Sequence, residues 1–259
     1  IHTLKEITTR RYQTITGIDQ FVGKIREVLT KKGLAKNTII VFTSDHGIME
    51  GEWGLGGKAL NYEACLKVPF IIYDPTLPLK KNTKAVHQFV QTIDLAPSFL
   101  NWAGVEIPAT MQGRPLQLLL SGDTLNWRSA VLGENLWSTV FGNPRIESVR
   151  KGRWKYIRYF RNDFGGPQKG KNPYAVSSKD AELYRQFLTA SIEGEAPVYE
   201  ELFDLKSDPL ENVNLAEVPE NNETINEMRV LCKQLIMNAS GQPDVLPYTT
   251  DLIQNWKVN

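Results

Sequence analysis

The chain is poor in several residue types, and each shortage excludes something. Its 259 residues include two cysteines, three histidines and four methionines. Two cysteines, Cys65 and Cys232, say little about redox compartment. No apolar stretch approaches the roughly 20 residues that span a bilayer, so no membrane span is expected. Thirty Lys and Arg nearly balance 29 Asp and Glu, for a net charge of +1. That balance gives no electrostatic basis for nucleic acid or acidic membrane as a partner. No internal repeat or low-complexity segment is apparent. What remains, 41% hydrophobic and 23% charged, is the composition of a soluble globular protein. The length permits one large or two small domains.

Periodicity organises the first half. Ile15, Ile18, Phe21, Val22, Ile25, Val28 and Leu29 recur at three and four residues, which predicts an amphipathic helix from Thr8 to Lys32. Gly33 after Lys31-Lys32 is its stop signal. Buried strands are predicted at Ile39–Thr43 and Val68–Tyr73, and a short one at Val86–Val90 entering a helix at Ile93–Ala103. A connecting region follows, marked by Pro108, Gly113, Pro115 and Gly122. Beyond it strands are predicted at Ala130–Gly133, Ile146–Arg150, Trp154–Tyr159 and Val198–Leu205. Lys151-Gly152 is placed at a hairpin turn. The basic run Lys151 to Lys155 reads as a solvated strand face. Asn162 to Pro173 reads as a loop, and Glu223 to Met237 as a second amphipathic helix. His87, within an apolar run, reads as a structural histidine, and His2 carries no reading. Glu134, Asn135 and Trp137 are candidates to face a cleft, although a core tryptophan is the plainer reading of Trp137.

The chemistry concentrates between Thr38 and Tyr73. Strand Ile39–Phe42 runs into Thr43-Ser44-Asp45-His46-Gly47, then a glycine-rich loop and Lys58. Open α/β sheets hold ligands just past the carboxyl ends of their strands. A carboxylate and an imidazole there suit a divalent cation, and a lysine after Leu55-Gly56-Gly57 suits an oxyanion. The local residues alone leave two readings open. Asp45 can simply cap its own turn beside an exposed His46, and Lys58 can be a solvated loop lysine. Nor do they choose between calcium and magnesium. Tyr62-Glu63 is assigned support of the loop.

Phe42-Thr43-Ser44-Asp45-His46-Gly47, Gly51-Glu52, Gly54-Leu55, Lys58, Tyr62-Glu63 and Val68-Pro69 together resemble the sulfatase family of the alkaline phosphatase superfamily. Two later segments resemble it in the same order. One is Gln91-Thr92-Ile93-Asp94-Leu95-Ala96-Pro97-Ser98. The other is Glu201-Leu202-Phe203-Asp204-Leu205 with Asp208-Pro209, Glu211-Asn212 and Asn214-Leu215-Ala216. The resemblance implies that Asp45 and His46 are metal ligands, that the metal is calcium, and that Lys58 contacts the sulfate as both a catalytic and a substrate-binding residue. It implies an α/β fold: part of a mixed, mostly parallel sheet flanked by helices, plus a smaller C-terminal antiparallel sheet with a packing helix. The boundary is expected at residues 1–122, part of the catalytic domain, and 123–259, a small α+β subdomain.

Departures from the family pattern shape the functional expectation. Trp53 stands where the family loop often has His. Neither cysteine lies in Cys/Ser-x-Pro-x-Arg, the motif from which sulfatases make formylglycine, and no Asp-Asp pair occurs. The chain is therefore expected to be the C-terminal part of a sulfatase, with the formylglycine in a missing N-terminal half that is also its partner. Alone it is expected to be inactive and, with unpaired strand edges, prone to aggregate. The expected activity of the complete enzyme is hydrolysis of a sulfate ester on a small molecule or carbohydrate, in a secreted, periplasmic or lysosomal setting. The alternatives are a phosphate mono- or diester hydrolase of the same superfamily, or a non-catalytic fragment or degenerate relative.

Overall fold

A computed structural model describes residues 4–77, 85–122, 124–135, 143–161, 186 and 190–240. The expected Asn162–Pro173 loop, Trp137 and His2 lie outside these residues. The chain forms two compact units, one from Ile1–Ser44 with Pro69–Ala85 and the other from Asp45–Val68 with Val86–Asn259.

The first unit holds helix α1 (Leu4–Lys31) and strands β1 (Ile40–Thr43) and β4 (Phe70–Tyr73). Helix α1 stops as its sequence predicts. Gly33 takes φ +70°, its N–H reaches the Thr30 carbonyl at 3.1 Å, and the Leu34 N–H reaches Leu29 at 2.9 Å. This Schellman closure satisfies carbonyls that a helix end leaves open. β1 and β4 pair antiparallel from Ile40↔Tyr73 to Thr43↔Phe70. Every strand pair among the described residues is antiparallel, so this pair differs from the parallel pairing expected for most of the larger sheet. The apolar stripe of α1 and one face of β4 are also less buried than expected. Ile15, Phe21 and Ile71 are exposed, because no described element covers them.

The second unit is built on a four-stranded antiparallel meander. Its strands are β5 (Ala130–Asn135), β6 (Arg145–Lys151), β7 (Trp154–Phe160) and β8 (Tyr199–Asp204), in spatial order. The side-chain period of two sends alternate residues to opposite faces. Val149, Tyr156 and Leu202 line up across three strands on one face. Helix α5 (Asn222–Ser240) covers them with Ile225, Met228, Cys232 and Ile236, all at most 2% exposed. Full burial of each large aliphatic side chain contributes roughly 1.5–3 kcal/mol. The opposite face carries Ile146, Ile157, Tyr159 and Phe203 and receives Leu60 and Tyr62. The sheet is thus buried on both sides, and the segment bearing Lys58 belongs to its second face.

Three expectations are corrected here. Val86–Val90 is not a strand and has no ladder partner among the described residues. The β6–β7 turn is Gly152-Arg153, since Lys151 pairs with Trp154. Gly152 takes φ +56° at the first turn position, where a two-residue hairpin loop favours glycine. Lys155 is not solvated. It is 1% exposed, and its ammonium lies 2.7 Å from Glu211 and 3.1 Å from Glu63. Those two carboxylates, remote in sequence, make the buried charge tolerable.

The edge strand β8 is closed by one side chain and the backbone beside it. Asn214 Oδ1 accepts from the Leu202 N–H at 3.0 Å, and its Nδ2 donates to the Glu200 carbonyl at 3.0 Å. The adjacent Leu215 N–H donates to Leu202 at 2.8 Å. The Asp-Leu-Ala-Pro-Ser segment is pinned by a buried carboxylate. Helix α3 (Leu95–Trp102) begins right after a 3-10 turn containing Asp94, which is 0% exposed. Asp94 accepts from the Gln91 and Arg114 N–H groups, each at 2.8 Å, and is clamped by both terminal nitrogens of Arg128. Gly113 lies against this turn so closely that a Cβ would fall 1.9 Å from the Ile93 carbonyl oxygen. Between Gly113 and Gly122 the connecting region holds a short helix, α4 (Gln117–Ser121).

Removing one partner of a buried pair costs about 3–5 kcal/mol, because the other charge stays buried. Asp94→Ala is therefore expected to lower the unfolding free energy by an amount in that range, read as a lower urea midpoint. An unchanged midpoint would show that Arg128 finds water instead.

Candidate functional site

The site is assembled from the segment between β1 and α2 (Glu63–Leu66), with a two-residue hairpin in the middle. Gly47 follows Asp45 and His46, and its residue type is set by close approach. Its N–H donates to the Cys65 carbonyl at 2.7 Å, and a Cβ would fall 2.0 Å from the Ala64 carbonyl oxygen. Only glycine lets the chain turn back this near α2. The hairpin pairs β2 (Met49–Glu50) with β3 (Gly56–Gly57), as Met49↔Gly57 and Glu50↔Gly56. Lys58 emerges directly after β3.

Asp45, His46 and Lys58, separated by a loop in sequence, converge. The Lys58 ammonium lies 2.7 Å from His46 Nε2, and Asp45 Oδ2 lies 3.2 Å from the same nitrogen. His46 Nδ1 lies 2.8 Å from the Gly47 carbonyl oxygen. A carbonyl oxygen only accepts and an ammonium only donates. This network assigns the imidazole proton to Nδ1 and leaves Nε2 with a lone pair toward Asp45 and Lys58. A backbone partner on Nδ1 fixes Nε2 as the acceptor, which here takes the Lys58 ammonium. Asp45 is exposed, and its carboxyl is held below the usual range. The His46 backbone N–H, at 3.0 Å, is the main cause, and the Lys58 charge adds to it.

A divalent cation fits these donors as two of its ligands. Asp45 Oδ2 and His46 Nε2 lie 3.2 Å apart and would supply two ligands once the Lys58 ammonium moves off Nε2, and the rest of a shell has to come from elsewhere. Among the described residues, no group of three or more His, Cys, Asp or Glu side chains is placed to hold a metal ion.

The Lys58 loop is fastened to the sheet at successive residues. Asn135 Nδ2 donates to the Ala59 carbonyl at 2.5 Å. Asn61, 2% exposed, donates to the Gly133 carbonyl at 3.1 Å and to Ser148 Oγ at 3.0 Å. The Tyr62 hydroxyl donates to Glu201 at 2.8 Å. Glu63 pairs with Arg150 at 2.6 Å and with buried Lys155 at 3.1 Å. Tyr62-Glu63 therefore holds the loop, as their assigned support implies. Asn61 has no chemical signature in sequence, because its partners lie more than 70 residues downstream. Asn135 stands in the segment suspected of facing a cleft, but its amide holds the loop. His87 is exposed, so it is not the buried structural residue expected from its apolar neighbours.

A sulfatase family model matches residues 3–105. The arylsulfatase of Clostridium perfringens (strain 13 / Type A) is 32% identical over 243 residues, which is 93% of this chain and 42% of that protein. The solved structure of BT4656 in complex with its substrate D-glucosamine-2-N,6-O-disulfate superposes with a TM-score of 0.64. It is 25% identical, and the match covers 89% of this chain and 40% of that one. The phosphonate monoester hydrolase of Agrobacterium radiobacter shares the fold at a TM-score of 0.67 and 22% identity, over 90% of this chain and 42% of that one. Fold and motif define a member of the alkaline phosphatase superfamily. Within it, the chain belongs to the sulfatase family. It spans less than half the length of these relatives.

Asn135→Ala removes the amide that holds the Ala59 carbonyl, one residue after Lys58. In the full-length protein we expect a fall in turnover of about tenfold with an unchanged urea midpoint, since small displacements of a positioned group are costly. The same substitution in a Lys58→Ala background is expected to cost nothing further. Additive losses would show that Asn135 does not act through the lysine.

Proposed function

We propose that the whole protein hydrolyses a sulfate ester, and that its substrates are sulfated carbohydrates. The convergence of Lys58, His46 and Asp45 about His46 Nε2 carries this reading, and the family membership supports it. Lys58 binds sulfate oxygens and offsets the charge that grows on them in the transition state. Asp45 and His46 supply two ligands to a divalent cation, calcium by family resemblance, whose contribution is Lewis-acid polarisation of the sulfate. Asp45 is suited to that part because its carboxyl stays ionised below the usual range. The Gly47 carbonyl orients the imidazole so that Nε2 faces Asp45 and Lys58.

The nucleophile is proposed to lie outside these 259 residues. Neither cysteine stands in a formylglycine motif, and both are buried. Burial pushes the Cys232 thiol up to about 12, far from a reactive thiolate. Residues 1–259 alone are accordingly proposed not to turn over sulfate esters. The proposed division is a catalytic part at 1–122 and a subdomain at 123–259, and the proposed setting is secreted, periplasmic or lysosomal. No described helix is long and apolar enough to cross a membrane.

A second reading, phosphonate or phosphate ester hydrolysis, draws on the shared fold of the Agrobacterium hydrolase. Full-length protein assayed on 4-nitrophenyl sulfate and on 4-nitrophenyl phenylphosphonate separates the two by kcat/KM. We expect the sulfate to be preferred; a preference for the phosphonate would install the second reading. Lys58→Ala is expected to lower kcat on the preferred substrate by about 10²–10³-fold, the loss typical of one transition-state donor. Wild-type turnover in that variant would return Lys58 to the role of a solvated loop lysine.

A further inference from the structure

Resting on the sulfatase reading, we propose that Trp53 and the pocket beside it form a subsite for a neutral pyranose ring of the substrate. Trp53 sits at the tip of the β2–β3 hairpin, on the loop that leads into Lys58. It is one of two non-glycine residues with left-handed backbone among the described residues, at φ 53°; the other is Glu211, at φ 57°. Both line the same pocket, of about 310 Å³.

The two strained residues differ in what explains them. Glu211 is held by its neighbours: its carboxylate accepts from the Glu63 N–H at 2.7 Å and meets the Lys155 ammonium at 2.7 Å. No comparable anchor explains Trp53. A bulky residue in this region is uncommon, and such residues gather at ligand clamps. Its ring packs on Tyr62, with centroids 4.5 Å apart and planes tilted by 32°. The Tyr62 hydroxyl is tied in turn to Glu201. Trp53 nevertheless remains 39% exposed. The result is a braced, flat apolar surface at the edge of a cavity.

The rest of the lining selects the ligand. Glu63 and Glu211 are balanced by Lys155 and Arg150 together, which leaves Glu52, Lys67 and Asn212 as polar groups around the opening. One acid, one base and an amide make a wall that matches hydroxyl groups and offers no concentration of positive charge for a second sulfate. An apolar ring face with a few convergent polar groups is the usual form of a small-molecule site, and the volume suits one sugar ring.

The test compares a substrate that has a sugar ring with one that lacks it. Full-length wild type, Trp53→Ala and Trp53→Phe are assayed on 4-methylumbelliferyl sulfate and on a panel of monosulfated monosaccharides, the 6-sulfate of N-acetylglucosamine among them. On the sugar that wild type cleaves, Trp53→Ala is expected to raise KM by about tenfold with kcat little changed, the mark of lost ground-state binding. Trp53→Phe is expected to stay close to wild type. The loss on the aryl sulfate is expected to be smaller than on the sugar, and neither variant is expected to change the urea midpoint. Equal losses on both substrates would make Trp53 merely structural, and an unchanged KM on the sugar would remove it from the subsite. If wild type cleaves the aryl sulfate but none of the sugars, this proposal falls and the sulfatase reading stands. If wild type cleaves neither, the sulfatase reading falls and takes this one with it.

Discussion

A buried ammonium organises the second unit. Lys155 lies inside the four-stranded sheet at 1% exposure and is compensated by Glu63 and Glu211. An unpaired charge at such a place would not be tolerated. The first residue of α2 and the loop after β8 must therefore both come to β7. Glu63 reaches Arg150 as well, so two neighbouring strands are drawn to the same helix end. Everything between the hairpin and α2, including Lys58, is placed by where that helix starts. The pair is weak evidence for net stability and stronger evidence for geometry, because the alternatives leave a charge without its partner.

Around this anchor the site loop is positioned by backbone contacts more than by packing. Gly47 allows the carbonyls of α2 to approach, Asn61 ties the loop to β5, and Asn135 of β5 holds the loop in return. These are polar contacts of fixed direction, which suits a group that has to meet an anion at a defined point. The exposed side chains themselves, Asp45 and Lys58, make few other demands on the fold. Their proximity comes from a short hairpin and one histidine ring between them.

Much of this was legible in the chain. Helices α1 and α5 follow from apolar spacing, and the end of α1 from Gly33 and the charge before it. Strands β5 to β8 appear within a residue or two of their expected starts, although β5 and β6 run further than expected. The grouping of Asp45, His46 and Lys58 was expected, while their roles rest on family resemblance. What could not be read depends on distant partners. Lys155 sits in an alternating basic run that reads as solvated, since nothing nearby announces Glu63 and Glu211. Val86–Val90 has strand composition but no ladder to join. The φ of Trp53 is a property of a braced loop, and no local pattern encodes it.

Asn214 has a further consequence. The edge of β8 is closed by the Leu215 N–H on the Leu202 carbonyl and by the Asn214 amide, which offers one acceptor to Leu202 and one donor to Glu200. An amide that loses ammonia to become a carboxylate keeps the acceptor and loses the donor. The Glu200 carbonyl would then face a negative oxygen, and the strand edge would be open to pairing with another chain. Chemical ageing at one asparagine would thus convert a closed sheet into a seed for association while leaving both hydrophobic faces of that sheet untouched.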